Sequence, residues 1–412
     1  MRLQLFSAIF CGLLVTSCIS MHKLQTPVAA SSAIVTIDAA PAREIKIKPG
    51  AERTRQYFNS LKHDRKVAVV ANQTSLISNV HLVDSLISDG INVVKIFTPE
   101  HGFRGSADAG ELINNEIDIK TGLPVISLYG THKKPTPEDL KDIDIVVFDL
   151  QDVGARFYTY ISTLSLVMEA CAEDSVPLLV LDRPNPNGFY VDGPVLDMKY
   201  SSFIGMHPVP VVHGMTIAEY ARMVNEEEWL KDSIKCDLDW VECAGYNHKS
   251  HYKLPVKPSP NLPDMNSIIL YPSLCFFEGT RVSVGRGTDY PFSIIGYPGF
   301  ADGNYKFTPR SKTGAMNPPY KDQECNGYNF ADSSQNIIES PGLRLSWLIN
   351  MYQADTSKSS FFTPFFTKLA GNQILKQQIE SGMDEAAIKK SWQSDLESFM
   401  EKRKKYLLYR DF

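Results

Sequence analysis

The sequence predicts an α/β fold: a mostly parallel sheet flanked by helices, followed by a smaller C-terminal α+β auxiliary domain. Five apolar runs, rich in β-branched residues, recur at intervals of roughly 25 to 30 residues, which is the rhythm of strand–helix–strand units. They are residues 67–71, 92–98, 124–128, 143–148 and 177–181. Because these runs are apolar at successive positions, they fit strands that are covered on both faces of a parallel sheet.

Amphipathic segments between these runs predict the helices of the same domain. Residues 80–88 and 162–172 each place their apolar side chains on one helical face. Residues 209–215 predict a sixth strand, and the capping-box pair Thr216 and Glu219 begins a helix after it. The fold class therefore rests on alternating strands and helices.

The C-terminal part of the chain shows weaker patterns. Residues 236–241 predict one more strand, and residues 342–352 and 384–406 predict helices. We expect a main domain over residues 51–297 and the auxiliary domain over residues 298–412.

The N-terminus is typical of an exported protein. Arg2 precedes an apolar stretch over residues 3–15, which is too short to span a membrane and matches a signal-peptide core. The stretch ends in Leu14-Val15-Thr16-Ser17-Cys18, a lipobox-like pattern, so residues 1–18 predict a lipoprotein signal peptide with Cys18 as the lipid-modified residue. An ordinary signal peptide is the alternative. Residues 19–50, rich in Ala, Ser, Thr and Pro, predict a flexible tether to a membrane in the periplasm or at the cell surface.

Composition and missing motifs exclude several function classes. A net charge of −5 over 412 residues gives no indication of nucleic-acid binding. No G-x-G-x-x-G or G-x-x-x-x-G-K-[ST] motif follows a predicted strand, so we expect no nucleotide, and no G-x-S-x-G nucleophile motif is present. The cysteines lack the spacing of a zinc site. We expect no cofactor and buried free thiols, with a disulfide between Cys236 and Cys243 as the alternative.

Polar residues follow each predicted strand at its carboxyl end. In open α/β sheets ligands bind in the crevice at this edge, near the point where the strand order reverses. The sequence therefore predicts that five polar side chains lie along the carboxyl edge of the sheet: Asn72, Glu100, Asp149, Asp152 and Asp182.

Glu100 and His101 are the strongest candidates for chemistry. Glu100 follows an apolar strand, and a carboxyl group beside an apolar wall is suited to donate a proton near neutral pH, as glycosidase acids do. Capping of the turn is the alternative role. His101 can orient Glu100, bind substrate or satisfy a loop carbonyl.

The second group of candidates lies in polar loops. Asp149 and Asp152 can supply a second carboxylate, anchor sugar hydroxyls or cap a helix, and Glu278 is a further candidate for the second carboxylate. Arg156 and Arg286 are candidates for binding an anion, with structural ion pairing as the alternative. Further candidates for substrate contacts are Asn72, Arg104, Tyr158, Asn185 and His213. A metal site is disfavoured because no H-x-x-x-H spacing is present.

Seven motifs together carry a resemblance to a known family. They lie at residues 98–105, 149–160, 181–186, 213–216, 258–261, 277–280 and 285–288. The chain from about Val67 to Tyr409 resembles the exo-β-N-acetylmuramidase family of bacterial peptidoglycan-recycling enzymes, although the segment after Tyr297 matches poorly.

The resemblance implies a Rossmann-like domain with an auxiliary domain. It also implies an enzyme that removes terminal β-1,4-linked N-acetylmuramic acid from the non-reducing end of peptidoglycan fragments, with Glu100 as the catalytic acid. The resemblance also implies that an arginine in the cleft, Arg286 or Arg156, binds the lactyl carboxylate of this sugar. The 2-acetamido group can act as an internal nucleophile, and a two-carboxylate scheme stays open beside it. A non-catalytic peptidoglycan-binding lipoprotein and a metal-dependent amidase or esterase are the alternative functions.

Overall fold

The structure is a computed structural model, and it describes residues 46–62, 64–103 and 116–412. The predicted signal peptide with Cys18, most of the tether and Arg104 lie outside the described residues. The domain boundary predicted after Tyr297 stays a prediction.

The strands of the described chain are mostly short. They are β1 (Val67–Ala71), β2 (Leu76–Ile77), β3 (Val80–His81), β4 (Val93–Thr98), β5 (Glu116–Ile117), β6 (Pro124–Ser127), β7 (Ile145–Asp149), β8 (Leu178–Leu181), β9 (Leu238–Val241), β10 (Ile294–Tyr297), β11 (Tyr305–Phe307) and β12 (Cys325–Asn329).

Seven of these strands form the central sheet, in the order β5-β6-β4-β1-β7-β8-β9. All neighbours are parallel except β5, which pairs antiparallel with β6. The chain moves outward from β1 through β4 to β6, then returns to β7 on the other side of β1 and continues to β8 and β9. This reversal places the switch point between β1 and β7, where open α/β sheets bind their ligands.

The helices of the described chain cover the sheet and build the C-terminal region. They are α1 (Phe58–Leu61), α2 (Leu82–Ser88), α3 (Pro137–Leu140), α4 (Tyr160–Glu173), α5 (Ile217–Glu226), α6 (Met265–Leu274), α7 (Ser334–Glu339), α8 (Ser346–Ala354), α9 (Phe366–Ala370), α10 (Ile374–Glu380), α11 (Glu385–Ser391) and α12 (Gln393–Arg403). In the part of the chain that the structure describes, no helix is both long and apolar enough to cross a membrane.

The two faces of the sheet belong to different hydrophobic clusters. Successive side chains of a strand point to opposite faces. Val70 and Phe148 accordingly join a large cluster that continues into the C-terminal helices, whereas Val69 and Val147 join a smaller cluster that includes residues of α1 and α2. This double coverage explains why the strands read as uninterrupted apolar runs.

The five predicted central strands are confirmed, and so is the strand predicted at residues 236–241, which is β9. The capping box is also confirmed: Glu219 N donates to Thr216 Oγ1, and Thr216 N donates to Glu219 Oε2. The sixth strand predicted at residues 209–215 is wrong. That segment makes only isolated bridges through Val212, and Pro210 within it lacks the amide donor of a sheet ladder.

The C-terminal region combines helices with a small antiparallel sheet in the order β10-β12-β11. The helix predicted over residues 384–406 is two helices, α11 and α12, that meet at Trp392. Residues from both predicted domains join the same large hydrophobic cluster. The cysteines of the described chain are buried and free, as expected, and Cys236 and Cys243 are not bonded to each other.

Candidate active site

A cavity opens at the carboxyl edge of the sheet, close to the switch point. Loops that follow β4 and β7 form one part of its wall, and loops from residues 258–262 and 285–292 form the other. Among the described residues it is lined by Glu100, His101, Phe157, Tyr158, Thr159, Tyr160, Ser259, Asn261, Leu262, Tyr271, Arg286 and Phe292. A larger cleft of about 790 Å³ lies beside α11 and α12, but it contains none of the predicted site residues.

Glu100 is the single carboxylate among the described residues that line this cavity. It lies two residues after the end of β4, and its side chain is half-buried. Thr159 Oγ1, one residue before α4, donates a hydrogen bond of 3.2 Å to Glu100 Oε2. Leu128 N donates to Thr98 O at 2.8 Å, which places Tyr129, in the loop after β6, beside the turn that carries Glu100. Burial and then the Glu100 carboxylate raise the pKa of Tyr129 to about 12. The Thr159 hydroxyl therefore directs the Glu100 carboxyl group, and the Tyr129 side chain lies near it.

His101 has a backbone conformation that is rare for its residue type. Its φ is 74°, in the left-handed region, and Gly102 follows with the same φ. Residues held in such conformations concentrate at functional sites because they cost free energy and persist only where the surroundings enforce them. The His101 ring reaches across the cavity, with Nε2 3.1 Å from Ser259 Oγ. This contact ties the loop at residues 258–261 to the turn that carries Glu100.

Arg286 presents an oriented cationic group to the same cavity. Its Nε donates to Glu278 Oε1 at 2.7 Å, and its guanidinium carbon lies 5.0 Å from the centre of the Phe292 ring. Burial lowers the pKa of Arg286, but the Glu278 carboxylate outweighs burial and raises it overall. Arg286 Nη1 is buried and has no hydrogen-bond partner. A fixed guanidinium with an unused donor is suited to bind a carboxylate.

Tyr158 and Tyr160 form a wall of the cavity. Their hydroxyls both donate to Pro258 O, at 2.9 and 3.2 Å, and their rings meet edge to face at 4.8 Å. Asn72, at the end of β1, donates from Nδ2 to the Tyr160 hydroxyl at 2.8 Å. Asn72 therefore lies one layer behind the cavity and supports its wall.

Asp149, another predicted site residue, forms a buried ion pair with Arg183. Both of its carboxylate oxygens accept from Arg183, at 2.6 Å from Nε and 2.8 Å from Nη2. The two side chains are 0% and 3% exposed. Because both carboxylate oxygens are occupied in this buried ion pair, its position does not support the predicted contact between Asp149 and substrate.

Arg156, Asn185 and His213 also lie away from the described cavity wall, and all three are buried. The Arg156 guanidinium donates to three main-chain carbonyls, those of Pro194, Val209 and Leu369. Burial is the main cause that lowers the pKa of Arg156 to about 9.

The other two side chains, Asn185 and His213, form hydrogen bonds with main-chain atoms of nearby loops. Asn185 donates from Nδ2 to Met215 O and accepts at Oδ1 from Asn187 N, and these bonds stabilise the turn that it begins. His213 Nδ1 accepts from Met215 N, and burial lowers the pKa of His213 to about 3. Their observed contacts are structural.

Asp152 lies behind the tyrosine wall. Its Oδ2 accepts from Gly154 N at 2.6 Å, whereas Oδ1 is buried and has no hydrogen-bond partner. Burial raises the pKa of Asp152 to about 7. Its carboxyl group does not line the described cavity, and its predicted catalytic role stays a prediction.

The structure thus brings together Glu100, His101, Tyr158 and Arg286 at one cavity, with Glu278 attached through Arg286. Sequence reasoning missed Thr159, Tyr129, Ser259 and the aromatic side chains of Tyr271 and Phe292. Thr159 and Ser259 lie inside motifs that were singled out, so proximity to those motifs was an available signal. Within the described residues, no group of three or more His, Cys, Asp or Glu side chains is arranged to hold a metal ion.

Comparisons with known proteins show which family the chain is related to. Residues 67–266 match the family model described as exo-β-N-acetylmuramidase NamZ, N-terminal, and residues 269–409 match the C-terminal model of the same name. The peptidoglycan β-N-acetylmuramidase NamZ of Bacillus subtilis (strain 168) is 36% identical over 403 residues, which is 93% of this chain and 96% of that protein.

Two crystal structures of DUF1343 family proteins from Bacteroides fragilis NCTC 9343 have similar folds. One has a TM-score of 0.83 at 47% identity and the other 0.74 at 27%, and each match covers 89% of this chain and 100% of the other. The family models and the Bacillus relative extend over nearly all of the described sheet and C-terminal region. The chain therefore belongs to the exo-β-N-acetylmuramidase NamZ family.

Proposed function

We propose that this protein is an exo-acting glycoside hydrolase that releases terminal β-1,4-linked N-acetylmuramic acid from the non-reducing end of peptidoglycan fragments. The observation that carries this proposal is the presence of Glu100 and Arg286 on one cavity. One side chain can transfer a proton, and the other can bind a carboxylate. N-acetylmuramic acid offers both matching groups, a glycosidic oxygen and a lactyl carboxylate. The activity named for the Bacillus relative supports the same substrate class.

Arg286 gives the site a reason to prefer a muramyl sugar over a sugar without the lactyl group. Glu278 fixes the guanidinium through Nε, so Nη1 is available for one oxygen of the lactyl carboxylate. Charge-assisted hydrogen bonds of this kind are stronger than neutral ones, especially where water is excluded. A sugar that lacks the lactyl group leaves this donor unpaired, which costs binding free energy.

Glu100 acts as general acid and then as general base in this proposal. It donates its proton to the glycosidic oxygen as the bond to the anomeric carbon breaks, and later takes a proton from the attacking water. The 2-acetamido oxygen of the substrate supplies the internal nucleophile in this scheme. Thr159 keeps the Glu100 carboxyl group directed during both steps.

Product analysis tests the proposal most simply. The full chain is incubated with the disaccharide N-acetylmuramyl-β-1,4-N-acetylglucosamine, and NMR follows the first anomer of free N-acetylmuramic acid. We expect release of this sugar with a retained β-anomer, because an internal nucleophile inverts the centre and water inverts it again. An initial α-anomer rejects the internal nucleophile, and no release by the wild-type protein rejects the glycosidase.

We also propose that the chain is exported and anchored through lipid at Cys18, on the lipobox-like pattern of residues 14–18. Labelling of cells that express the full chain with an alkyne fatty acid tests this anchor. The label is expected on the wild-type protein and absent from Cys18→Ala.

A further inference from the structure

A second set of partly exposed side chains lies near Glu100 but outside the described cavity wall. Tyr129 follows β6, and Leu128 N beside it donates to Thr98 O of β4 at 2.8 Å, whereas Thr159, on the cavity wall, follows β7 and donates to Glu100. Because β4 lies between β6 and β1 in the sheet, Tyr129 and Thr159 belong to loops on different sides of the strand that leads to Glu100. Tyr129 itself does not line the described cavity.

Tyr129 belongs to a small aromatic and cationic patch. Its ring centre is 6.4 Å from that of Phe203, with the two planes inclined at 59°. Lys133 Nζ lies 4.9 Å from the centre of the Phe203 ring. All three side chains are partly exposed. We call Tyr129, Phe203 and Lys133 the outer patch.

The segments that carry the outer patch are held in place. Lys134, next to Lys133, pairs with Glu169 and Glu173 of α4 at 2.6 and 2.7 Å. On the other segment, Ser202 and Gly205 exchange two main-chain hydrogen bonds of 2.9 Å, which places Phe203 within a tight turn. The patch is therefore pre-organised, which lowers the ordering cost of binding a ligand.

We propose that the outer patch is the subsite for the leaving saccharide, the part of the peptidoglycan fragment on the reducing side of the scissile bond. The inference rests on the proposed function. A general acid lies beside the glycosidic oxygen, with the sugar being released on one side of it and the leaving saccharide on the other. The cavity with Arg286 takes the muramyl sugar, so the leaving N-acetylglucosamine lies toward Tyr129 and Phe203.

The chemistry of the outer patch fits this occupant. The apolar C–H face of a pyranose packs against aromatic rings, and partly exposed Tyr and Phe rings supply such faces at small entropic cost. The Lys133 ammonium adds a positive charge beside the Phe203 ring. In peptidoglycan the next unit is a muramyl residue that carries a lactyl or stem-peptide carboxylate, and a cation at this end is complementary to it.

The test compares two substrates that differ only in the leaving group. One is the disaccharide N-acetylmuramyl-β-1,4-N-acetylglucosamine, and the other is N-acetylmuramyl β-fluoride, which has no leaving sugar. For Phe203→Ala we expect the ratio of kcat/KM for the disaccharide to kcat/KM for the fluoride to fall about tenfold, equal to about 1.4 kcal/mol. The loss falls mainly in KM, because the contact binds ground state and transition state alike. Phe365→Ala, at a phenylalanine that is 40% exposed on the C-terminal region, is the matched control.

Each outcome is decisive. An unchanged ratio in folded Phe203→Ala overturns the subsite while leaving the proposed function intact. Failure of the wild-type protein to turn over either substrate rejects the proposed function itself. Lys133→Met provides a second variant that removes one partly exposed charge. We expect it to weaken turnover of a longer fragment with stem-peptide carboxylates, and no such change overturns the role of Lys133.

Discussion

The two halves of the sheet's carboxyl edge use the same residue types in opposite ways. Over β4 and β6, Glu100 and Tyr129 are partly exposed, and Glu100 lines the cavity. Over β7 and β8, Asp149 and Arg183 are buried and bound to each other, and buried Asp182 accepts from Tyr409 and Ala218. Position after a strand therefore does not identify a functional carboxylate. What identifies it is access to the cavity.

The arginines show the same contrast. Arg156 donates to three carbonyls inside the protein and lies away from the described cavity, whereas Arg286 lines it. Each guanidinium keeps one buried nitrogen without a partner, Nε in Arg156 and Nη1 in Arg286. An unused buried donor carries a desolvation cost, and a ligand in the cavity can offset it for Arg286.

The largest effect on activity is expected for Glu100, the carboxylate that lines the cavity. Glu100→Gln keeps the shape and the contact with Thr159 but cannot transfer a proton. We expect kcat/KM on the disaccharide to fall by about 10² to 10⁴, with a melting temperature close to that of the wild-type protein. Initial-rate assays and thermal unfolding check both. A large loss of stability with normal turnover per folded molecule would show that Glu100 has a structural role, like Asp149, and not a catalytic one.

Asp149→Asn should show the reverse pattern. The substitution leaves Arg183 buried without its counter-ion, and breaking a buried pair in this way costs about 3 to 5 kcal/mol. We expect a marked fall in the free energy of unfolding, measured with urea, and near-normal KM for the protein that remains folded at low temperature. Normal stability with a large rise in KM would instead support the substrate contact predicted for Asp149.

Arg286→Lys tests the unused donor. Lysine keeps the charge but cannot bind Glu278 through Nε and present a second N–H at the same time. We expect KM for the muramyl disaccharide to rise about tenfold, equal to about 1.4 kcal/mol. Arg281→Lys, at an arginine that pairs with Asp355 outside the described cavity, is the control. Equal effects of the two variants would contradict the assignment.

The last effect concerns pH and the buried half of the edge. Burial raises the pKa of Asp152 from 3.8 to about 7 in the folded protein, so the folded state holds a proton that the unfolded state has released. Its contribution to stability is complete below pH 3.8 and is lost as pH rises toward 7, with a slope of at most about 1.4 kcal/mol per pH unit.

Asp152→Asn has no proton to lose, so its stability relative to the wild-type protein should increase between pH 4 and pH 7. Urea unfolding at several pH values measures this difference, in which the other titrating groups cancel. A constant difference across this range would show that Asp152 is ionised in the folded protein.

The sequence predicted the sheet well because both-sided burial leaves a strong local signal. Val67–Ala71 and Ile145–Asp149 are apolar at nearly every position, and short runs of this kind, rich in β-branched residues, are typical of strands covered on both faces. The segment at residues 209–215 has a similar composition, but Pro208 and Pro210 lack amide donors and it pairs only at isolated positions. Local apolarity predicts burial, whereas a ladder also needs donors in register.

The site was predicted only in part, because the deciding contacts join distant segments. Glu100 and His101 could be found from their place after β4. The choice between Arg156 and Arg286 could not, since it depends on which carbonyls and carboxylates the fold brings to each guanidinium. Tyr129 and Phe203 carry no local signal, because their significance arises only when two loops meet beside Glu100.

The central claim is that Glu100 protonates the leaving oxygen, and the leaving-group dependence of Glu100→Gln tests it most directly. The measurement compares kcat/KM for the disaccharide, whose leaving group needs a proton, with kcat/KM for N-acetylmuramyl β-fluoride, whose leaving group departs with far less help. We predict a loss of about 10² or more on the disaccharide and a much smaller loss on the fluoride. Equal losses on both substrates, or none on either, would contradict the role of Glu100 as the acid.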